Sequence, residues 1–313
     1  MLALVLSGAA NYGAMQVGGL EILIKAGIKP DMIIGTSAGA LNAIHVASDP
    51  STRGVRKLRS SWKNVRTSHV GKPHLITGLG RLITRQSSLF LSDPLAKFFQ
   101  ANLPPNIETF GQLHSMHGIQ AYTTAVCMET GKLRVFGDDE EDRLIDGAMA
   151  STAIPPYFPP WRVGKYRFVD GGVVAKLPIR SALERGATQI IALDVNNALG
   201  SAQKANDLFG ISSYAISLMA DNQTKEAADW AHMLGVELRI IQLLAPPEVH
   251  FWDYSQADYL FEMGRETVEK ALAAEPVHVS SGWKAHIRQG VTRLVNRLLV
   301  RPEQLSESAQ QAS

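Results

Sequence analysis

Short runs of apolar, often β-branched residues bounded by glycine alternate along the chain with longer stretches whose apolar positions recur every three or four residues. That alternation predicts an α/β fold with a central, mostly parallel sheet flanked by helices. Leu2–Leu6 reads as the first strand. From Gly13, the spacing of Met15, Val17, Leu20, Ile22, Leu23 and Ile24 predicts a mostly buried helix, stopped by Gly27 and by Lys29-Pro30. Residues 32–34 form a second buried strand, and residues 40–47 are good helix formers. Further strands are predicted at 120–126, 133–136, 166–169, 189–195 and 237–243, the first two joined as a hairpin through Thr130-Gly131. Helical patterns fall at 178–185, about 205–234 and 256–274.

Residues 50–110 are less regular. Helical patterns at 53–62 and after Asp93-Pro94 flank a Gly/Ser-containing stretch from 71 to 92, and the region reads as a helical insertion around the mouth of a site. Near the end, residues 283–301 place Ile287, Val291, Leu294, Val295 and Leu298 on one helical face and Gln289, Arg293, Asn296 and Arg297 opposite. This amphipathic helix is expected either to touch an anionic membrane surface or to pack on the body or a second subunit. Residues 302–313 are polar and Ser/Gln-rich, a tail expected to be disordered. The chain therefore divides into a catalytic unit over 1–276, a helix over 277–301 and a tail over 302–313. Oligomeric state is not readable.

Two strand-to-helix turns carry candidate chemistry. Gly35-Thr36-Ser37-Ala38-Gly39 matches the Gly-x-Ser-x-Gly nucleophile elbow and sits between a strand and a helix, the context that motif needs. The helix that follows would aim unpaired N–H groups at charge developing beside Ser37. Ser7-Gly8-Ala9-Ala10-Asn11-Tyr12-Gly13-Ala14 is a second such turn, whose backbone N–H groups at Gly8, Ala9, Ala10 and Asn11 form a candidate oxyanion or phosphate nest. It is not a P-loop, because Ala14 and Met15 stand where the Lys and Ser/Thr belong, and it lacks the dinucleotide glycine pattern.

With Asp170-Gly171-Gly172 downstream, these motifs resemble the patatin-like phospholipases: a glycine-rich loop after the first strand, Gly-x-Ser-x-Gly after the second, then Asp-Gly-Gly. The stretch from Ala150 to Pro160 and the Leu177-Pro178-Ile179 run leading to Gly186-Ala187 are similar to the family too. The likeness covers about residues 2–275. It implies a three-layer patatin-like fold, hydrolysis of carboxylic esters of lipids or related molecules, and a dyad of Ser37 as nucleophile and Asp170 as its base, with no metal or organic cofactor. Tyr12 and the Pro156-Tyr157-Phe158 stretch are the expected substrate wall.

The loop departs from the family pattern. Alanines stand at 9 and 10 where glycines are usual, and Tyr12 replaces a basic residue. An alanine keeps its N–H donor, though at a position needing positive φ it costs about 1 kcal/mol or more. The missing cation leads to an expectation of weakened preference for anionic phospholipids, with Asn11 as a neutral donor in its place. Two competing readings stand beside the dyad: a catalytically weakened lipid-binding or regulatory protein on the same fold, and a Ser-His-Asp triad using His250, His278 or His286.

Charge and composition narrow the partners. Thirty-one basic against 29 acidic residues leave a formal +2, too even a balance to imply nucleic acid, so attraction for anions must be local. One cysteine, Cys127, excludes an internal disulfide and fits a reducing compartment. The apolar start lacks a basic n-region, and no apolar run reaches the roughly 18 residues a membrane span needs. The expectation is a cytoplasmic protein, peripheral at a membrane at most.

Overall fold

The computed structural model describes residues 1–65, 70, 88–196 and 208–275. The helix and tail expected at 277–313, and most of the Gly/Ser-containing stretch at 71–92, lie outside the described residues.

Among the described residues eight strands form one sheet: β1 (Leu2–Leu6), β2 (Met32–Thr36), β3 (Gln120–Cys127), β4 (Leu133–Phe136), β5 (Trp161–Val163), β6 (Tyr166–Asp170), β7 (Gln189–Asn196) and β8 (Glu237–Leu244). The order is β5-β6-β3-β2-β1-β7-β8, with β4 also on β3. Strands β3, β2, β1, β7 and β8 run parallel, whereas β4 and β6 run antiparallel to β3. Every residue of β1 and β2 is buried, as expected for strands covered on both faces. Alternation sorts their side chains: Leu2, Leu4, Leu6 and Ile33 join one core, Ala3, Val5, Met32 and Ile34 the other.

Helices α1 (Gly13–Lys25), α2 (Ala38–Ser48), α3 (Thr52–Asn64) and α10 (Ala257–Ala274) cover the first face. On this side α10 crosses α1 at very short range. A Cβ on Gly18 would stand 1.9 Å from the Phe261 carbonyl oxygen, and one on Gly264 1.9 Å from that of Met15. Helices α8 (Ile179–Glu184) and α9 (Leu208–Met233) cover the second face through Ile179, Ala182, Leu183 and Ala231. The result is the three-layer arrangement expected from the sequence.

The remaining helices are α4 (Asp93–Asn102), α5 (Phe110–His117), α6 (Leu144–Ser151) and α7 (Gly172–Ala175). Hydrophobic periodicity alone does not mark α5, α6, α7 and β5. For α5 the signal was present, because Thr109 and Gln112 form a capping box and Gly118 closes the helix at φ 68°. For α6 it was weak: Gly147 interrupts the helix formers, and is tolerated because a Cβ there would meet Thr123 and Phe110 below 3 Å. Three boundaries shift toward the site, one of them the end of β2, which runs past Ile34 to Thr36. Helix α2 begins at Ala38, and β6 runs on to include Asp170 itself.

Candidate active site

Strand β2 ends at Thr36 and α2 starts at Ala38, leaving Ser37 alone in the turn at φ 55° and ψ −122°. Such a conformation in a non-glycine residue costs about 1–2 kcal/mol, so the surroundings must impose it. A Cβ on Gly35 would fall 2.1 Å from the Gly39 carbonyl oxygen, and one on Gly39 2.5 Å from that of Leu6. Glycine at both positions therefore lets β2, α2 and the end of β1 converge around the serine. Its backbone N–H donates to Ser151 Oγ at 2.8 Å, so a side chain of α6 holds the elbow from below. The N–H of Ala40 donates back to the Ser37 carbonyl, while that of Ala38 has no acceptor among the described residues.

Strand β3 sets where the carboxylate lies. Residues 123 and 124 pair with both β2 and β4, and residues 125 and 126 with both β4 and β6. A strand has two edges, so β2 and β6 must follow one another along the edge opposite β4. Thr36 is opposite Thr124 and Asp170 is opposite Ala125, which brings the C-terminal ends of the two strands together. Thr124 donates its hydroxyl to Thr36 Oγ1 at 2.7 Å, since Thr36 spends its own proton on the Ala175 carbonyl at 2.8 Å. That chain ties the elbow to the segment after Asp170.

Asp170 is 3% exposed. Its Oδ1 accepts the Gly172 N–H at 2.7 Å, and its buried Oδ2 accepts no hydrogen bond among the described residues. Burial raises the carboxyl pKa to about 6, against the smaller pull of the Gly172 N–H and the Ser37 hydroxyl. The hydroxyl is near enough to act on the carboxylate, although no hydrogen bond of ordinary length and angle joins them at rest.

The loop after β1 divides its residues between two duties. Gly8 lies against Ser37, a Cβ there falling 3.4 Å from the serine Cβ, but its N–H is spent on the Lys176 carbonyl at 2.9 Å. The N–H groups of Ala9 and Ala10 have no acceptor among the described residues, and both residues line the cavity over Ser37. Ala10 sits at φ 46°, the positive-φ alanine considered from the sequence. Asn11 and Tyr12 face away from the cavity. Asn11 Nδ2 donates to the carbonyls of His250 and Asp253 at 3.0 and 3.1 Å, its Oδ1 accepts the Trp252 N–H at 3.3 Å, and Tyr12 donates its hydroxyl to the Val249 carbonyl at 2.6 Å. Both side chains thus clamp the 249–254 loop and are not part of the described cavity wall.

The cavity measures about 790 Å³, within the roughly 300–1,000 Å³ usual for small-molecule sites. Ser37 and Asp170 line it together with apolar residues of the 50–110 region, among them Leu58, Trp62, Leu95 and Phe99. Phe158 is on its wall, whereas Pro156 and Tyr157 are not. Tyr157 supports the wall from behind, meeting Trp252 edge to face at 5.2 Å between ring centroids. Trp252 holds φ 76°, packs against Phe90, Phe158, Phe251 and Tyr254, and keeps a buried Nε1 without a partner among the described residues. The pattern reading did not single out Trp252, Ser151 or Lys176, another cavity residue.

No described histidine completes a triad. His250 is exposed and off the cavity, and His278 and His286 lie outside the described residues. His45 does line the cavity, but its ring nitrogens sit 2.8 and 2.7 Å from the carbonyls of Leu41 and Asn102. Burial pushes it toward the neutral form. Among the described residues there is no cluster of His, Cys, Asp and Glu able to hold a metal, and no helix long and apolar enough to cross a membrane.

This combination of sheet, elbow and Asp-Gly-Gly segment has a counterpart in a known family. A patatin-like phospholipase family model matches residues 4–183, and the chain belongs to that family. It is 28% identical over 202 residues to patatin-like phospholipase domain-containing protein 7 of Rattus norvegicus, the match covering 63% of this chain and 14% of the relative. To protein 6 of the same naming in Homo sapiens it is 24% identical over 201 residues, 63% of this chain and 13% of the relative. The chain thus spans a small part of the length of these relatives. Among solved structures, human GIVD cytosolic phospholipase A2, in complex with methyl gamma-linolenyl fluorophosphonate, superposes with a TM-score of 0.50 at 10% identity, covering 94% of this chain and 59% of that one. VipD from Legionella pneumophila gives 0.47 at 14%, covering 87% and 66%. At 10% identity the likeness to the phospholipase A2 structure is one of fold alone.

Proposed function

We propose that this protein is a serine hydrolase of lipid carboxylic esters, with Ser37 as nucleophile and Asp170 as its base. The observation that carries the reading is a buried Asp170, whose Oδ2 has no partner among the described residues, lining one apolar cavity with a strained serine. Family membership supports the class of reaction, and the apolar lining supports an acyl chain as occupant.

Ser37 Oγ attacks the ester carbonyl carbon as its proton passes to Asp170 Oδ2. The carbonyl π electrons move to oxygen, and the oxyanion takes up the free N–H groups of Ala9, Ala10 and Ala38 at the positive end of α2. Collapse breaks the C–O bond, and the leaving alcohol takes the proton from Asp170. Water then repeats the sequence on the acyl-enzyme, giving a carboxylic acid and restoring Ser37.

The test is hydrolysis of a panel of p-nitrophenyl esters and phospholipids by the wild type, Ser37→Ala and Asp170→Asn. Loss of roughly a thousandfold or more in each variant is expected. Wild-type rates in Ser37→Ala overturn the reading, and a wild type silent on the whole panel favours a lipid-binding protein instead.

A further inference from the structure

The loop over Ser37 carries no cation, yet the cavity does. Lys176 follows α7 directly and lines the cavity beside Gly8, whose N–H its carbonyl accepts at 2.9 Å. Its Nζ donates to Asn196 Oδ1 at 3.1 Å and lies 3.1 Å from Asp194 Oδ1. The ion pair is lopsided. Asp194, 3% exposed, sits inside the protein off the cavity wall, whereas the Lys176 side chain is 17% exposed and both Lys176 and Asn196 are on the wall.

The buried carboxylate therefore anchors a lysine that is itself part of the cavity wall and keeps some of its side chain exposed, with its Nζ bonded to Asn196 on the same wall. Of the three ammonium protons, one is used in a hydrogen bond of ordinary geometry among the described residues, to Asn196. The other charged side chains on the described wall are Asp170 and Asp221, the latter exposed on α9, so Lys176 is the one lysine or arginine there.

We propose that Lys176, oriented by Asp194 and Asn196, forms an anion subsite that takes a phosphate group carried by the lipid substrate. A compact ammonium with spare donors suits phosphate oxygens. The subsite supplies, from a segment distant in sequence, the cation that the loop lacks. On this proposal the weakened preference for anionic phospholipids expected from the loop is reversed. The proposal rests on the lipid-ester reading and narrows its substrate class.

Binding measured on Ser37→Ala protein tests it without turnover. A 1-acylglycerol 3-phosphate and the matching 1-acylglycerol, both below their micelle concentrations, are titrated alongside inorganic phosphate alone. The phosphate lipid should bind about tenfold tighter than its neutral partner, the gain expected of charge-assisted hydrogen bonds. Lys176→Gln alone would leave Asp194 buried and unpaired, so it is combined with Asp194→Asn. This variant, its fold checked by thermal melting, should bind the two lipids within about twofold, and Lys176→Arg should retain the preference. Equal affinities in the starting protein, or a preference surviving in the double change, overturn the subsite. Inorganic phosphate binding without any lipid preference overturns the headgroup assignment. Failure of the hydrolase reading appears elsewhere, as wild-type protein that binds these lipids and cleaves no ester.

Discussion

Thr36 pairs with Thr124 and Asp170 with Ala125, so the residue before the nucleophile and the proposed base stand one register step apart on a single edge of β3. Their separation is fixed by the backbone ladder of the sheet, not by a loop. Rigid elements hold reacting groups to the tolerance that proton transfer needs. The loops over Ser37 add donors and a wall to a pair the sheet has already aligned.

Because burial raises Asp170 to about 6, the carboxylate form needed to accept the Ser37 proton is lost in mildly acid solution. For a neutral ester, log kcat/KM should rise with unit slope below about pH 6 and level off above it. A profile flat from pH 5 to 8 contradicts this role.

The same shift has a cost in stability. Folded Asp170 binds its proton more tightly than the unfolded chain, near the ordinary 3.8, so its contribution is present at low pH and lost as pH rises through about 6. The loss is on the order of 3 kcal/mol. Asp170→Asn should therefore be inactive yet more stable than the wild type at pH 8. Urea denaturation should show that advantage growing between about pH 4 and 6 and absent below. Equal stabilities at pH 8 contradict it.

Ala10 stands at φ 46°. Glycine removes the roughly 1–2 kcal/mol of strain but adds about 0.5–1 kcal/mol of unfolded-state entropy. Ala10→Gly should gain about 0.5–1 kcal/mol in urea denaturation, with its N–H still free for the oxyanion. A destabilised variant would mean that the alanine methyl packs productively.

How much of this was legible in the sequence follows from distance along the chain. Strands β1 and β2 announce themselves because burial on both faces demands an unbroken apolar run, and Ser37 because its glycines mark a local close approach. The β3–β4 hairpin is equally local, with Gly131 at φ 68°. Asp170 read alone is an ordinary Asp-Gly turn, and only family resemblance singled it out. Asn11 and Tyr12 fell on the wrong side of the site in the reading because their partners are 237 to 242 residues away. No pattern of period two or 3.6 encodes such a contact, nor the meeting of Ser151 with the Ser37 N–H across 114 residues.

Asn11 makes three hydrogen bonds to the backbone around Trp252, and that residue holds a left-handed φ costing about 1–3 kcal/mol. Asn11→Ala should release the loop and spoil the aromatic wall. We expect kcat/KM for long-chain esters to fall about tenfold and short-chain esters to suffer less, with a red shift in tryptophan emission. Equal losses for both chain lengths would place Asn11 in the chemistry itself.

The central claim is that Ser37 is activated by Asp170. Intact-mass analysis after incubation with a fluorophosphonate tests it most directly, because only an activated serine forms the adduct quickly. The wild type should gain one adduct, mapped by peptide digestion to Ser37. Ser37→Ala should gain none, and Asp170→Asn should label at least about a hundredfold more slowly. An adduct on another residue, or an Asp170→Asn protein labelled at the wild-type rate, contradicts the dyad.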